Sequence, residues 1–231
     1  VATLETVVDA ARTAGRFFGS FEGMQRLHPK AMLLRQLIAG NAIGTALSVH
    51  QVGHGGLPSP WPGMPSGAPS WWLDPSCIST GAWLDHAIYA IDLVRYVLGG
   101  EIDTVAGQIG NRYHPSLPLE DYGIALMRLG APSGPVSLLI EDTWAAAPGG
   151  GAHWFRMIGT HGWIHSDGDA WVVVRDGTET RHPIDESPFF PLDPLATALQ
   201  SGAPLPFGVE DAVANLSACL RFYADARRDK A

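Results

Sequence analysis

The sequence is poor in cysteine, in charge and in long apolar runs, and each shortage excludes something. Its two cysteines in 231 residues, Cys77 and Cys219, lie far apart without a C-x-x-C spacing, which argues against both a disulfide framework and a structural zinc site. A reducing, cytoplasmic compartment is the default. No stretch reaches the roughly 18 uninterrupted apolar residues that a membrane helix needs, so neither span nor anchor is expected. Charged residues make up 16% of the chain, the net charge is -8, and no run of Lys or Arg occurs beyond Arg227-Arg228. The electrostatic footprint of a nucleic-acid or anionic-membrane binder is therefore missing. The chain begins at Val1 with neither initiator Met nor a basic and apolar leader, which reads as a processed chain or a fragment. What is there is core material: 46% hydrophobic and 9% aromatic residues, the composition of a globular protein rather than a disordered one.

The patterning predicts helices toward both ends and strands between them. Residues 3–14 place Leu4, Val7, Val8 and Ala11 on one face and stop at Gly15, a helix. Residues 16–23 (RFFGSFEG) are short, aromatic and bounded by Gly, and read as a strand. His28-Pro29 opens a second helix with Met32, Leu33, Leu37 and Ile38 as its apolar face and Gly40 as its stop; residues 44–52 read as another strand. Residues 53–80 are rich in Gly, Pro, Ser and Trp, and with Trp61, Trp71, Trp72 and nearby Trp83 they read as a packed loop over a pocket, since a mere linker would not carry so much aromatic area. The glycine clusters at 53–56 and 149–151 read as loop tips and Cys77 as a buried thiol. Residues 81–98 are the strongest helix, ended by Gly99-Gly100.

After that helix the period changes to two. Segments 102–112, 122–129, 136–144, 153–158, 163–166, 171–175 and 179–184 are rich in Val, Ile, Trp and Thr and separated by turn signals, which predicts a meandering sheet. A short helix within 187–200 and a longer one over 209–228 close the chain. The expected fold class is α+β: a mostly antiparallel, open-faced sheet with helices on one face.

The central helix carries Asp85, Tyr89, Asp92 and Tyr96 at spacings of four, three and four, one stripe on a face opposite Ile88, Ile91 and Val94. Such a stripe suits a salt-bridged, solvent-facing helix as well as a pocket wall. His50, His54, Asp85 and His86 are dispersed over a strand, a loop and this helix, which is weak support for a metal site, and none is assigned.

Residues 80–99, TGAWLDHAIYAIDLVRYVLG, resemble the helix motif of the glucose-fructose oxidoreductase and inositol dehydrogenase family (Gfo/Idh/MocA), whose usual form is GGGxxxDxGxHxxDxxxxxxG. Arg26-Leu-His-Pro29 with Leu37-Ile-Ala-Gly40 and Ile43-Gly44 is similar to the family's RxxP...LIxxGxIG segment. Glu120-Asp121, Gly159-Thr-His-Gly162 and Glu210-Asp211 follow in family order. The resemblance runs over nearly the whole chain and implies the substrate-binding and oligomerising part of an NAD- or NADP-dependent oxidoreductase acting on a hydroxyl of a sugar or polyol. It implies that residues 1–23 are the helix and strand ending a Rossmann domain and that 24–231 are the α+β domain.

The departures are specific. No G-x-G-x-x-G turn is present, so neither NAD nor NADP is expected to bind this chain alone. The family's Glu-Lys-Pro segment would fall before Val1. Ser79 and Thr80 stand where the motif has its leading glycines, and Tyr89 where it has His. By resemblance Tyr89 and Asp85 are the catalytic pair, with Arg26, Trp72, His86 and Asp92 in the substrate site. A free Tyr titrates near ~10, so a cation beside Tyr89 is expected, in the family the lysine of the missing segment. A homodimer or homotetramer through the sheet is implied, on the apolar segments Trp163-Ile164 and 171–174. A non-catalytic scaffold subunit and a metal-dependent lyase are the other readings.

Overall fold

The computed structural model describes residues 2–58, 71–111, 113–147, 150–185 and 192–228. Trp61, Gly149 and residues 187–191 of the expected short helix lie outside them. Helix α1 (Ala2–Ala14) ends at Gly15, in the left-handed region at φ +58°, where glycine carries no Cβ penalty. The strand expected over residues 16–23 does not form; a four-residue helix, α2 (Phe21–Met24), takes its second half. The aromatic groups here find a side-chain partner instead of a strand ladder. Phe17 packs edge-on to Phe207 at 5.5 Å, and a Cβ at Gly19 would fall 2.6 Å from the Phe207 ring.

Helix α3 (Pro29–Ala39) starts with proline at its first position and with His28 as cap, its Nδ1 accepting the Lys30 N–H at 3.1 Å. Its buried residues are Ala31 and Leu34, with Leu33, Leu37 and Ile38 against the core; Met32, expected inside, is exposed because the contact stripe is turned toward Ala31. Strand β1 (Ala46–His54) follows, then helix α4 (Ala82–Leu98). Seven strands come next: β2 (Glu101–Gly110), β3 (Tyr122–Ala131), β4 (Gly134–Thr143), β5 (Ala152–Gly159), β6 (Gly162–Asp167), β7 (Ala170–Arg175) and β8 (Thr178–Pro183). Helices α5 (Leu192–Ser201) and α6 (Val209–Arg228) end the chain.

All eight strands form one sheet in the order β2-β3-β4-β1-β5-β6-β7-β8. β1 enters its middle, parallel to β4 and antiparallel to β5, and every other pairing is antiparallel. The fold is α+β as the pattern implied. Alternation explains why the sheet has one dry face: β3 turns Ala125, Met127 and Leu129 inward and β4 turns Val136, Leu138 and Ile140 inward, all fully or nearly fully buried. α4 and α6 cover that face over β2, β3 and β4, and α3 reaches β7. Trp83 of α4 fills the centre, stacked against Phe222 of α6 at 3.9 Å, its indole N–H donating to the Ile140 carbonyl at 3.2 Å. No helix among the described residues is long and apolar enough to cross a membrane.

Both cysteines are free. Cys219 is buried in α6, where burial raises its thiol pKa above the ordinary value. Cys77, expected to be buried, is exposed, because residues 74–78 form a turn at the surface in which the Asp74 carboxylate accepts the Ser76 N–H at 2.8 Å.

Candidate active site

Where α4 leaves the sheet toward its β5–β7 side, a cavity of about 560 Å³ opens between them. Its floor is built by register. Gln51 of β1 pairs with Phe155 of β5, the Phe155 N–H donates to Ser166 Oγ of β6 at 3.0 Å, and Ser166 pairs with Trp171 of β7. The wall is α4 with the residues around α2 and the start of α3, presenting Tyr89, His86, Phe21, Arg26 and Lys30.

The stripe predicted on α4 does not face solvent as a unit. Tyr89 is on the cavity wall, with Phe21 edge-on at 6.3 Å. Asp85 sits one turn earlier and behind the wall, its Oδ2 accepting the Trp144 indole N–H at 3.0 Å and lying 3.6 Å from His86 Nδ1. His86 also lines the cavity, its ring edge-on to His153 at 5.6 Å. Trp72 is stacked on Trp71 at 4.0 Å and is not part of the lining.

Arg26 and Asp92 reach the cavity edge but are committed to each other. Arg26 Nε donates to Asp92 Oδ2 at 2.9 Å and Nη2 to Oδ1 at 2.7 Å, while Nη1 donates to the Pro206 carbonyl and Nη2 also to Asp211. Asn215 Nδ2 adds a bond to Asp92 Oδ1 at 2.7 Å, and Arg95 Nη1 donates to Asn215 Oδ1. Both ends of the pair are nearly inaccessible, Arg26 at 6% exposure and Asp92 at 1%. This is a bidentate buried ion pair joining three elements.

The charges that this chain itself places around Tyr89 are negative. Burial raises its phenol pKa to about 12, and the carboxylates of Asp85 and Glu22 add to the rise. A cation is what would lower it. His153 is held below the usual imidazole value, first by burial and then by His86 and His54. Asp142, on β4 behind Asp85, is raised to about 9, by burial first and then by Asp85 and Glu141. Asp142, His153, Gln51 and Glu22 were not singled out from the sequence. Asp142 had one readable signal, a carboxylate at the next inward position after Val136, Leu138 and Ile140.

Among the described residues no group of three or more His, Cys, Asp or Glu side chains could hold a metal ion. His50 and His54 alternate with Gln51 and so project from the other face of β1, where His54 Nε2 is bound to Glu141 Oε1 at 3.0 Å.

Residues 32–165 match the model of the GFO/IDH/MocA C-terminal domain. The chain belongs to that family. No curated protein matches the sequence. Among solved structures, aldose-aldose oxidoreductase from Caulobacter crescentus, complexed with glycerol, is 22% identical with a TM-score of 0.75, over 99% of this chain and 67% of its own. An oxidoreductase from Agrobacterium radiobacter in complex with NAD+, L-tartaric acid and magnesium is 19% identical, TM-score 0.74, over 98% and 67%. An oxidoreductase domain protein from Kribbella flavida is 18% identical, TM-score 0.77, over 99% and 69%. At these identities the likeness carries the fold, and this GFO/IDH/MocA domain spans about two thirds of those chains.

The family landmarks take structural jobs here. Glu120 Oε1 accepts the Gly81 N–H at 2.7 Å and the Tyr223 hydroxyl, and that hydroxyl also meets the Leu84 N–H at 3.1 Å, so the first-turn amides of α4 are occupied. The Ala82 N–H is bound to the Glu120 carbonyl. The start of α3 is likewise closed by His28, which takes the N–H groups of Lys30, Ala31 and Met32. A dinucleotide pyrophosphate needs open amides at a helix start after a glycine turn. The starts of α3 and α4 do not offer them, so these two helices do not fit that part of a nicotinamide cofactor. Asp211 bonds Arg26 and accepts the Gly208 N–H at 3.1 Å, and the Gly159–Gly162 hairpin docks on the residues just before β1, the His161 N–H donating to the Ile43 carbonyl.

Proposed function

We propose that this chain is the substrate-binding and oligomerising part of an NAD(P)-dependent oxidoreductase acting on a hydroxyl of a sugar or related polyol. Residues 1–23 would end a nucleotide-binding domain, and the dinucleotide would be held by residues other than 24–231. The observation that carries the reading is Tyr89 on the wall of a 560 Å³ cavity with Asp85 one helical turn behind it. The names of the relatives, among them levoglucosan dehydrogenase and an aldose-aldose oxidoreductase, support a sugar-like substrate.

Oxidoreduction at a hydroxyl-bearing carbon requires a proton to leave or join the oxygen. Tyr89 is placed to exchange it. With burial and anionic neighbours it holds its proton through neutral pH and is a weaker acid than a free phenol, so proton exchange calls for a cation beside it from the rest of the enzyme. Asp85, fixed by the Trp144 indole, orients the phenol or the substrate hydroxyl. His86 faces the same space as a second polar contact. The floor of Phe155 and Trp171 supplies an apolar surface, and Ser166 and Gln51 supply hydroxyl and amide groups, a lining suited to a small neutral polyol.

In an enzyme that joins this chain to a nucleotide-binding half, Tyr89→Phe is expected to lower kcat by about 10²-fold or more while leaving the thermal midpoint near wild type. Wild-type turnover by that variant would remove the catalytic assignment and leave a domain that binds without reacting.

A further inference from the structure

Besides histidines, the charged side chains that border the cavity are Arg26, Lys30 and Asp92. Arg26 and Asp92 neutralise each other in their buried pair. Lys30 is left over. Among the described residues no carboxylate pairs with it, and its ammonium stands over the Trp171 ring, 5.5 Å from the centroid.

The sequence places this cation against the local rule. The first turn of a helix is electropositive and favours Asp or Glu, yet α3 has no acid in its first turn and carries Lys30 there. The lysine is also tied to the floor through its backbone. The Trp171 indole N–H donates to the Lys30 carbonyl at 2.8 Å, and that ring is edge-on to Phe155 at 5.5 Å. Ring, helix start and ammonium form one unit at the β7 end of the cavity floor.

Charge is divided along the cavity. α4 lies over β4, β3, β1 and β2, whereas α3 reaches β7. In the sheet order β5 and β6 separate β1 from β7, a span of roughly 14 Å at the usual strand spacing. Tyr89 therefore enters from one end, with Asp85 and Glu22, not Lys30, acting on its phenol. Lys30 enters from the other. An anionic group on a ligand is repelled at the first end and attracted at the second. The floor between them, Phe155 with the Ser166 hydroxyl, suits the neutral, hydroxyl-bearing part of the molecule. A phosphate would find one cation and no amide cradle, since the first amides of α3 are closed by His28. A lone ammonium is the complement of a carboxylate.

We propose that the polyol or sugar taken by this cavity carries a carboxylate at the end remote from the reacting hydroxyl, and that the Lys30 ammonium over Trp171 binds it. The inference rests on the reading of the cavity as a polyol site and names a class within it, aldonic or uronic acids rather than neutral sugars. Lys30 is a specificity-determining residue and takes no part in proton exchange at Tyr89.

The test compares matched ligands on this chain: gluconate with glucitol, glucuronate with glucose, and a glucitol monophosphate beside them. Each is titrated by NMR with the Trp171 indole N–H as the local probe. The acid of each pair is expected to bind about tenfold more tightly than its neutral partner, the scale of one charge-assisted contact, and added salt is expected to narrow the gap. The net charge of -8 works against general uptake of acids, so such a preference is local. Lys30→Met, which keeps an unbranched stem over the ring, is expected to abolish the preference, and Lys30→Arg to retain it. Equal affinity within the pairs, a preference that survives Lys30→Met, or tighter binding of the phosphate than of gluconate would overturn the proposal and leave the polyol reading standing. Failure of all these ligands to bind would overturn both. The wild-type comparison decides even if Lys30→Met does not fold. Normal turnover in Tyr89→Phe would remove the catalytic reading while leaving the acid preference in place.

Discussion

Tyr89 keeps its proton because it is removed from water and because the charges nearest to it are negative. Burial is the larger cause, so Asp85→Asn is expected to bring the phenol midpoint down from about 12 but not back to 10, read by NMR on Cζ-labelled tyrosine. A midpoint unchanged by that substitution would mean that Asp85 does not face the phenol. Asp142 gives a stability counterpart. Its folded-state pKa, near 9, lies above the unfolded value of ~3.9, so between those two pH values the folded state binds more protons than the unfolded one. Stability from this group is then full below the unfolded value and is lost as pH rises toward 9. The thermal midpoint of the wild type is expected to fall relative to Asp142→Asn between about pH 5 and pH 9, and a constant difference across that range would contradict the buried-acid assignment. Gly53→Ala should be costly for a geometric reason, since its methyl would overlap Asp142 Oδ1, and the cost should shrink in an Asp142→Gly background.

At the scale of elements, α4 shows why one stripe holds two kinds of residue. Tyr89 lines the cavity with Asp85 bonded behind it to Trp144, whereas Asp92, at the cavity edge, is bonded to Arg26 and Asn215, tying the residues before α3 and the helix α6 to α4. Removing one partner of a buried, hydrogen-bonded pair strands the other charge, so Asp92→Ala is expected to cost about 3 kcal/mol or more by denaturant unfolding. A loss under about 1 kcal/mol would mean that the pair contributes little and that Arg26 is available to a ligand. The spacing of the stripe was legible in the sequence. The division of labour was not, because the partners of Asp92 lie 66 and 123 residues away. Strands β3 and β4 were legible because one face of the sheet is buried, which imposes period two on them, whereas β7, buried at four consecutive positions, and β8, exposed almost throughout, were legible from their β-branched residues and turn signals. Residues 16–23 misled for the converse reason: Phe17 meets Phe207 and Phe21 meets Tyr89 while Phe18 stays exposed, tertiary contacts that leave no local period. The cavity floor was also hidden, since Gln51, Phe155, Ser166 and Trp171 become neighbours only through strand register.

For the molecule as a whole, the face of the sheet away from the helices has no helix or strand over its middle strands among the described residues. Alternation places Ile124 and Leu126 of β3, Leu139 of β4 and Trp154 of β5 on that face. Leu126 and Trp154 are each 42% exposed. The segments expected to supply a partner surface turn out differently: Ile164, Trp171, Val172 and Val173 are already buried within the chain, and Arg156 lies over the Trp163 ring at 5.2 Å. The apolar surface left for a second copy is therefore the central strands, not the β6–β7 end. Two copies packing these faces would make an isologous contact in which each substituted position occurs twice. Charge introduced at two paired positions, Leu126→Glu with Leu139→Glu, would place four carboxylates in one apolar interface while touching neither the core nor the cavity lining. The wild-type chain is expected to sediment as a dimer or tetramer at micromolar concentration, and the double variant as a folded monomer with an unchanged circular dichroism spectrum. A wild type that is already monomeric, or a variant whose mass is unchanged, would show that this face is not where copies of the chain meet.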